Sequence, residues 1–271
     1  MKKLLLAIIA LSGVMASFAQ DSTAQDKADT IRIGGMIIIK KKDRNGKEEE
    51  VVISNKKKKK PSNISTNWGI VDIGFANLHD QTNYGSPEAQ AFAPGFSKDN
   101  LDLRTKSMNV NVWFFMQRLN VIKHVVNLKY GLGLELNNYR FDDETIRLNK
   151  NPTSIILDPS LEGIKKNKLA ADYITVPMMV NINFTPNRKK GFGISGGVSA
   201  GYLYSARQKF KDNDNKWKVH DNFDLRKWKL SYIGELALGP VKLYGSYAMK
   251  SMWEKGLDQT PYNVGIRLSN W

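Results

Sequence analysis

The chain contains no cysteine. That absence excludes disulfides, thiolate metal centres and anchoring through a lipidated terminal cysteine. Histidine is scarce: His79, His124 and His220 are the whole set, and no two of them have the spacing of a metal-binding pair. The carboxylate triplet Asp142-Asp143-Glu144 reads as a solvated face rather than a metal site. Long apolar runs are missing too. Past the first twenty residues, no stretch approaches the roughly 20 apolar residues that a membrane-crossing helix needs.

What the N-terminus does hold is an export signal. Lys2 and Lys3 precede an apolar run from Leu4 to Val14, and Ser17-Phe18-Ala19 gives a small-x-small cleavage site. Residues 1–19 are therefore expected to be a signal peptide. An exported chain with no helical span is either water-soluble or a closed barrel, since only these leave no backbone group stranded in hydrocarbon. The formal charge is +15. Export argues against nucleic acid as the counter-charge. Phosphates of outer-membrane lipid or lipopolysaccharide, or an acidic periplasmic partner, fit better.

Residues 20–66 differ from the rest. Two short strands are expected around Asn45-Gly46, a strong hairpin signal, with Lys40–Lys42 facing Glu48–Glu50. A basic, extended linker follows, containing Lys56, Lys57, Lys58, Lys59, Lys60 and Pro61. Those lysines could contact lipid phosphates or the envelope from the periplasmic side.

Residues 67–271 alternate apolar and polar side chains in eight segments: 67–78, 107–118, 125–138, 169–184, 191–208, 225–238, 241–252 and 260–271. The third is the cleanest. Val126, Leu128, Tyr130, Leu132, Leu134 and Leu136 share one face, with Asn127, Lys129, Gly131, Gly133, Glu135 and Asn137 on the other. In the second, Met108, Val110, Val112, Phe114 and Met116 are expected outward, and Asn109, Asn111 and Gln117 inward. Short and long connections alternate strictly, as in outer-membrane barrels with tight periplasmic turns and longer external loops. A soluble sandwich or lipocalin-like barrel would alternate in the same way. Strand length beyond the usual 5–6 residues, a polar face that mixes Gly, Ser and Asn with Lys and Glu, and aromatics near strand ends (Phe184 and Phe192 at one rim; Tyr202, Tyr204 and Trp228 at the other) favour lipid. The fold expected is all-β: an eight-stranded antiparallel up-and-down transmembrane barrel, both termini periplasmic, after an N-terminal periplasmic hairpin and linker.

An eight-stranded interior is just filled by side chains. The face assignment puts a structural charge network there: Asp72, Lys129, Glu135, Arg207, Lys229, Glu235, Lys242 and Arg267, and points Lys227 and Lys250 into the lumen as well. Buried charges must be paired.

The segments YITVPMMVNINF and GFGISGGVSAGYLYSARQK resemble the PorT-like outer-membrane β-barrel family of Gram-negative bacteria, in which a Tyr-x-x-x-Pro strand precedes a Gly-rich strand with a basic end. The matching positions are Tyr173, Pro177, Gly197, Gly201 and Arg207. The resemblance spans about 67–271. It implies an eight-stranded barrel inserted by the barrel-assembly machinery. The terminal YNVGIRLSNW departs from the usual assembly signal, with Asn270 where an apolar residue is common.

No catalytic residue, cofactor or metal is expected. The role expected is structural or in binding, by a monomer whose lumen is plugged and whose external loops or periplasmic extension make contacts. A narrow anion-favouring channel, a lipid-modifying enzyme and a secretion or assembly factor are the alternatives.

Overall fold

The computed structural model describes residues 30–33, 36–42, 48–53, 62–186, 191–213 and 215–269, the first three segments as strand paths alone. The expected signal peptide, the Asn45-Gly46 turn, the linker Lys56–Lys60 and Trp271 lie outside the described residues. The chain divides into two compact units between Pro61 and Ser62.

In the first unit, β1 (Thr30–Ile33), β2 (Met36–Lys42) and β3 (Glu48–Ile53) form an antiparallel sheet in that order. Lys40, Lys41 and Lys42 stand opposite Glu50, Glu49 and Glu48, the register expected from charge. The difference is a third strand: the apolar run 30–39 splits into β1 and β2, which pair with each other.

The second unit runs β4 (Ile64–Asp80), helix α1 (Pro87–Phe92), β5 (Met108–Ile122), β6 (Val126–Arg140), β7 (Ile146–Asn149), β8 (Ser154–Leu157), β9 (Lys166–Asn183), β10 (Phe192–Lys211), β11 (Lys216–His220), β12 (Trp228–Leu238), β13 (Val241–Ala248) and β14 (Gln259–Leu268). Eight strands pair antiparallel in the order β10-β12-β13-β14-β4-β5-β6-β9, and β9 pairs back onto β10. The ring is therefore closed, with β14 against β4 as the seam between its last and first strands. Closure leaves no edge inside the ring. Beyond Tyr202, where β12 ends its pairing, β11 covers the free edge of β10 from Arg207 to Lys211.

One end carries tight turns. Lys123 and His124 both take positive φ (46° and 59°), and Gly239 has φ 69°, backbone that hairpin turns require. The other end carries the long connections 81–107, 141–165, 212–227 and 249–258. Among the described residues no helix is long and apolar enough to cross a membrane; the apolar surface is on the strands. Ile174, Val176, Met178, Val180 and Ile182 of β9 all face out and are exposed, as are Phe192, Ile194, Val198, Tyr202 and Tyr204 of β10. At about 3.3 Å per residue, Phe192 to Tyr204 covers roughly 40 Å of strand, which a tilt of about 40° reduces to roughly 30 Å of height. That matches a hydrocarbon core. The expected aromatic rim is present, with Tyr202 and Trp228 in edge contact at 5.0 Å.

Two bulges shift the expected faces. The ladder slips at Phe114, between Trp113 and Phe115, so Phe114 is 47% exposed while Met116 is fully buried. Met116 therefore points into the lumen, not outward, and Gln117 is on the outer face, bonded to Thr66 and Tyr130. The second slip lies at Tyr204, between Leu203 and Ser205. A bulge adds one residue to one strand and inverts every side chain beyond it.

Candidate functional site

The lumen is filled by most of the charges that alternation assigned to it; Arg207, Lys227 and Lys250 lie outside it. Asp72, Lys129, Glu135, Lys229, Glu235, Lys242 and Arg267 are all buried. Arg267 reaches Asp72 with Nε and Nη2 (2.7 and 2.8 Å) and Glu235 with Nη1 (2.5 Å). Lys129 donates to the other oxygen of Glu235 at 2.5 Å and to Ser195 at 3.2 Å. Lys229 pairs with Glu135, and its ammonium sits 5.1 Å from the Tyr173 ring centroid. Lys242 bonds Ser269 at 2.5 Å.

The pairs are joined by side chains that alternation made visible but did not single out. Trp113 Nε1 and Asn111 donate to Asp72 at 2.7 and 3.1 Å. Asn109 donates to Asn111 and Asn137, each at 2.9 Å, and accepts from the Tyr244 hydroxyl at 2.5 Å. Asn137 and Asn263 then donate to Glu135 at 3.2 and 3.3 Å. The polar circuit thus runs from Asp72 through three asparagines to Glu135. This satisfaction is what makes charge tolerable at such burial. The recurring inward Asn of the strands was the available signal. An apolar cluster of Ile70, Trp113, Met116 and Met179 lies within the same lumen.

Arg207 is the first of the three. The Tyr204 bulge turns it to the outer face, where Nη1 bonds Asp172 Oδ2 at 2.5 Å and Ser205 at 2.9 Å. Lys227 and Lys250 are exposed as well, because β12 starts at Trp228 and β13 ends at Ala248.

At the long-loop end the connections fold together. Phe92, Phe96, Leu101, Phe141, Ile146, Ile155, Phe223, Leu225, Trp253 and Leu257 form one buried cluster with Tyr139 and Tyr173, which rise into it from β6 and β9. Phe92 and Trp253 meet edge-on at 5.3 Å. Helix α1 begins under Ser86, whose hydroxyl caps the Ala89 amide. The β7–β8 hairpin is clasped by two buried amides: Gln208 accepts from Leu148 N at 3.0 Å and donates to Ile146 O at 2.9 Å, and Asn167 donates to Ile146 O at 2.5 Å and Glu144 O at 2.9 Å. No period marks these loop aromatics in sequence. Their clustering in otherwise polar connections was the only sign.

Electrostatics tune the cap locally. Burial, then a 2.6 Å bond to Asp80, pushes the Tyr84 hydroxyl well above its ordinary range. Hydrogen bonds from Ser160, then the Arg147 guanidinium, hold the Asp158 carboxyl below the usual carboxylate range.

The histidines lie apart. His79 Nδ1 is 2.9 Å from the Tyr247 hydroxyl, His124 forms the β5–β6 turn, and the His220 carbonyl accepts from Lys150. Residues 193–197 read Gly-Ile-Ser-Gly-Gly, the spacing of a nucleophile elbow. They run in the middle of β10, though, and the Ser195 oxygen is engaged by Lys129 and Asn181. Among the described residues no group of three or more His, Cys, Asp or Glu could hold a metal. In the acidic triplet, Asp142 and Glu144 pair with Arg104 and Asp143 accepts from Thr145.

Residues 72–249 match the family model described as an outer membrane protein beta-barrel domain. Among solved structures, that of Ail, the attachment invasion locus protein of Yersinia pestis, is similar over 75% of this chain and 98% of its own, at 10% identity and a TM-score of 0.32. No curated protein matches the chain.

Proposed function

The chain belongs to the outer membrane protein beta-barrel family, and from that premise we propose that it is a sealed, non-catalytic barrel that presents its folded loop cap at the cell surface as a contact platform. The observation that carries this reading is the cap itself. Four long connections share one apolar core around Phe92 and Trp253. Ordering them costs conformational entropy of about 1–2 kcal/mol per residue, an outlay that a mere set of linkers would not require. The lumen charges of Lys129, Glu235, Arg267 and Asp72 are spent on each other, which supports a plug over a pore. The scattered histidines and the mid-strand Ser195 support a non-enzyme.

Both termini then lie in the periplasm with the short turns, and the β1–β3 sheet is available there to an envelope partner. Within the family we place the chain on the PorT-like branch. Tyr173, Pro177, Gly197 and Gly201 support this as a packing motif: Gly201 lies against the Tyr173 side chain, where its missing Cβ would come 3.3 Å from Tyr173 Cβ.

The absence of native cysteine allows a direct test of presentation. Glu162→Cys in the long-loop cap and Lys123→Cys in a short turn are labelled with a membrane-impermeant maleimide. On intact cells the first should react and the second only after the outer membrane is permeabilised. The reverse pattern, or equal labelling, overturns the reading.

A further inference from the structure

The outer wall at the long-loop end carries a row of cations in strict register. Arg140 of β6 stands opposite Lys168 of β9, Lys168 opposite Lys209 of β10, and Lys209 opposite Lys218 of β11. A second row sets Lys166 opposite Lys211 and Lys211 opposite Lys216. Directly opposed side chains on one face of a sheet stand about 5 Å apart, and like charges there repel. The fold itself supplies little compensation. Asp172 is taken by Arg207, and Lys168 has Asn138 as a neutral partner at 2.7 Å. Asp212 flanks Lys211 in sequence. Among the described residues, no carboxylate is within ion-pair distance of Lys166, Lys209 or Lys218. The β10 cations are on this face because the Tyr204 bulge inverts that strand: without it Arg207, Lys209 and Lys211 would point into the barrel.

Position relative to the apolar belt gives the second observation. Reading along β10, exposed Val198, Tyr202 and Tyr204 come first, then Arg207, Lys209 and Lys211. Hydrocarbon-facing, aromatic and cationic layers thus follow in the order of a membrane interface. Alongside lies a cleft of about 810 Å³, with Ile73, Phe75 and Met108 on its apolar floor and Arg140, Lys166 and Lys168 on its rim. A floor continuous with the belt suits an acyl chain, and the rim suits an anion held at headgroup height. A soluble acidic protein would match the charge but not the floor.

We propose that this wall binds the phosphates of an outer-leaflet glycolipid of the lipid A type, with acyl chain seated in the adjoining cleft. The assignment of leaflet rests on the orientation proposed above; the chemistry of the site does not. Its four residues are separated by three cross-strand spacings of about 4.8 Å, so the first row is roughly 14 Å wide and can engage more than one phosphate of a single headgroup. The bound lipid in turn relieves the repulsion between the rows and fixes the barrel's height in the membrane.

The test uses the folded full chain in detergent with purified bisphosphorylated lipid A as the probe. The arms are dephosphorylated lipid A, inorganic phosphate and phosphatidylglycerol in the same detergent. Dephosphorylated lipid A should bind at least about tenfold more weakly, and the triple variant Lys168→Gln/Lys209→Gln/Lys218→Gln should lose at least about tenfold in affinity. The variant Lys227→Gln/Lys250→Gln, on another part of the rim, should stay within about twofold. Acetylation footprinting of the unsubstituted chain gives a second readout, independent of whether the triple variant folds: lipid A should shield Lys168, Lys209 and Lys218. Retained affinity in the folded triple variant, no shielding, or equal displacement by phosphate or phosphatidylglycerol overturns the proposal. Binding in detergent is indifferent to insertion direction, so failure of the maleimide test would overturn the orientation and the leaflet assigned from it, while loss of lipid A binding would overturn the site itself.

Discussion

Arg267 holds Asp72 by two parallel hydrogen bonds, Nε to Oδ1 at 2.7 Å and Nη2 to Oδ2 at 2.8 Å, across the seam where the last barrel strand meets the first. Its third donor reaches Glu235 on β12 at 2.5 Å. A single planar guanidinium therefore ties closure of the ring to the filling of its lumen. Two-pronged geometry of this kind is specific to arginine.

Removing that guanidinium leaves Asp72 buried without its counter-charge. Arg267→Ala should cost about 3–5 kcal/mol of folding stability, read as a lowered urea midpoint for the barrel in lipid vesicles. Arg267→Lys keeps the charge but loses the fork and should fall between. An unchanged midpoint for Arg267→Ala would show that the seam closes without the pair.

The Phe114 bulge makes opposite forecasts for two neighbouring apolar residues. Met116→Ala opens a cavity in the lumen and should cost about 2–5 kcal/mol. Phe114→Ala removes a side chain from the exposed outer face and should cost less. Regular alternation without a bulge would give both the same, outward character, so comparable small effects would refute the inversion.

Gly256 sits at φ +84°, and a Cβ there would lie 2.4 Å from Phe92 Cβ. Gly256→Val combines a left-handed backbone, worth about 1–2 kcal/mol for a non-glycine residue, with a clash in the cap. Limited proteolysis should begin to cut within 249–258 and 81–107. The barrel itself should keep its heat-modifiable migration. Unchanged protease resistance would mean that the cap does not depend on the Phe92–Trp253 contact.

Asp158 offers a pH test confined to the β7–β8 region. Its carboxyl is held down by Ser160 and then Arg147, so it contributes stability above the ordinary aspartate value of about 3.9. That contribution is lost as pH falls through the lower, folded value. In an NMR titration the Ser160 amide should report a midpoint below 3.9, and Asp158→Asn should abolish the transition. A midpoint at or above the ordinary value would deny the capping role.

Much of the barrel was legible because its rule is local. Alternation in 125–138 gave both faces of β6 correctly, and inward Lys129 and Glu135 followed from it. Two of the errors share one cause. Val112–Met116 and Tyr202–Tyr204 are unbroken apolar runs, which hide the period; there the strand bulges, and Met116 and Arg207 change sides. Lys227 and Lys250 were misplaced for a different reason, since strand ends are set by pairing partners rather than by pattern. The cap was illegible because Phe92, Phe141, Phe223 and Trp253 come from four separate connections and meet only once the ring has brought those connections together.

The claim beneath all of this is that the ring is closed and its interior is occupied by its own charges. Planar-bilayer recording of the purified, folded chain tests that most directly. A barrel stoppered by Arg267, Glu235, Lys129 and Asp72 should produce no stable current steps at moderate voltage. Reproducible unitary steps, altered in size or ion preference by Glu235→Gln, would contradict it.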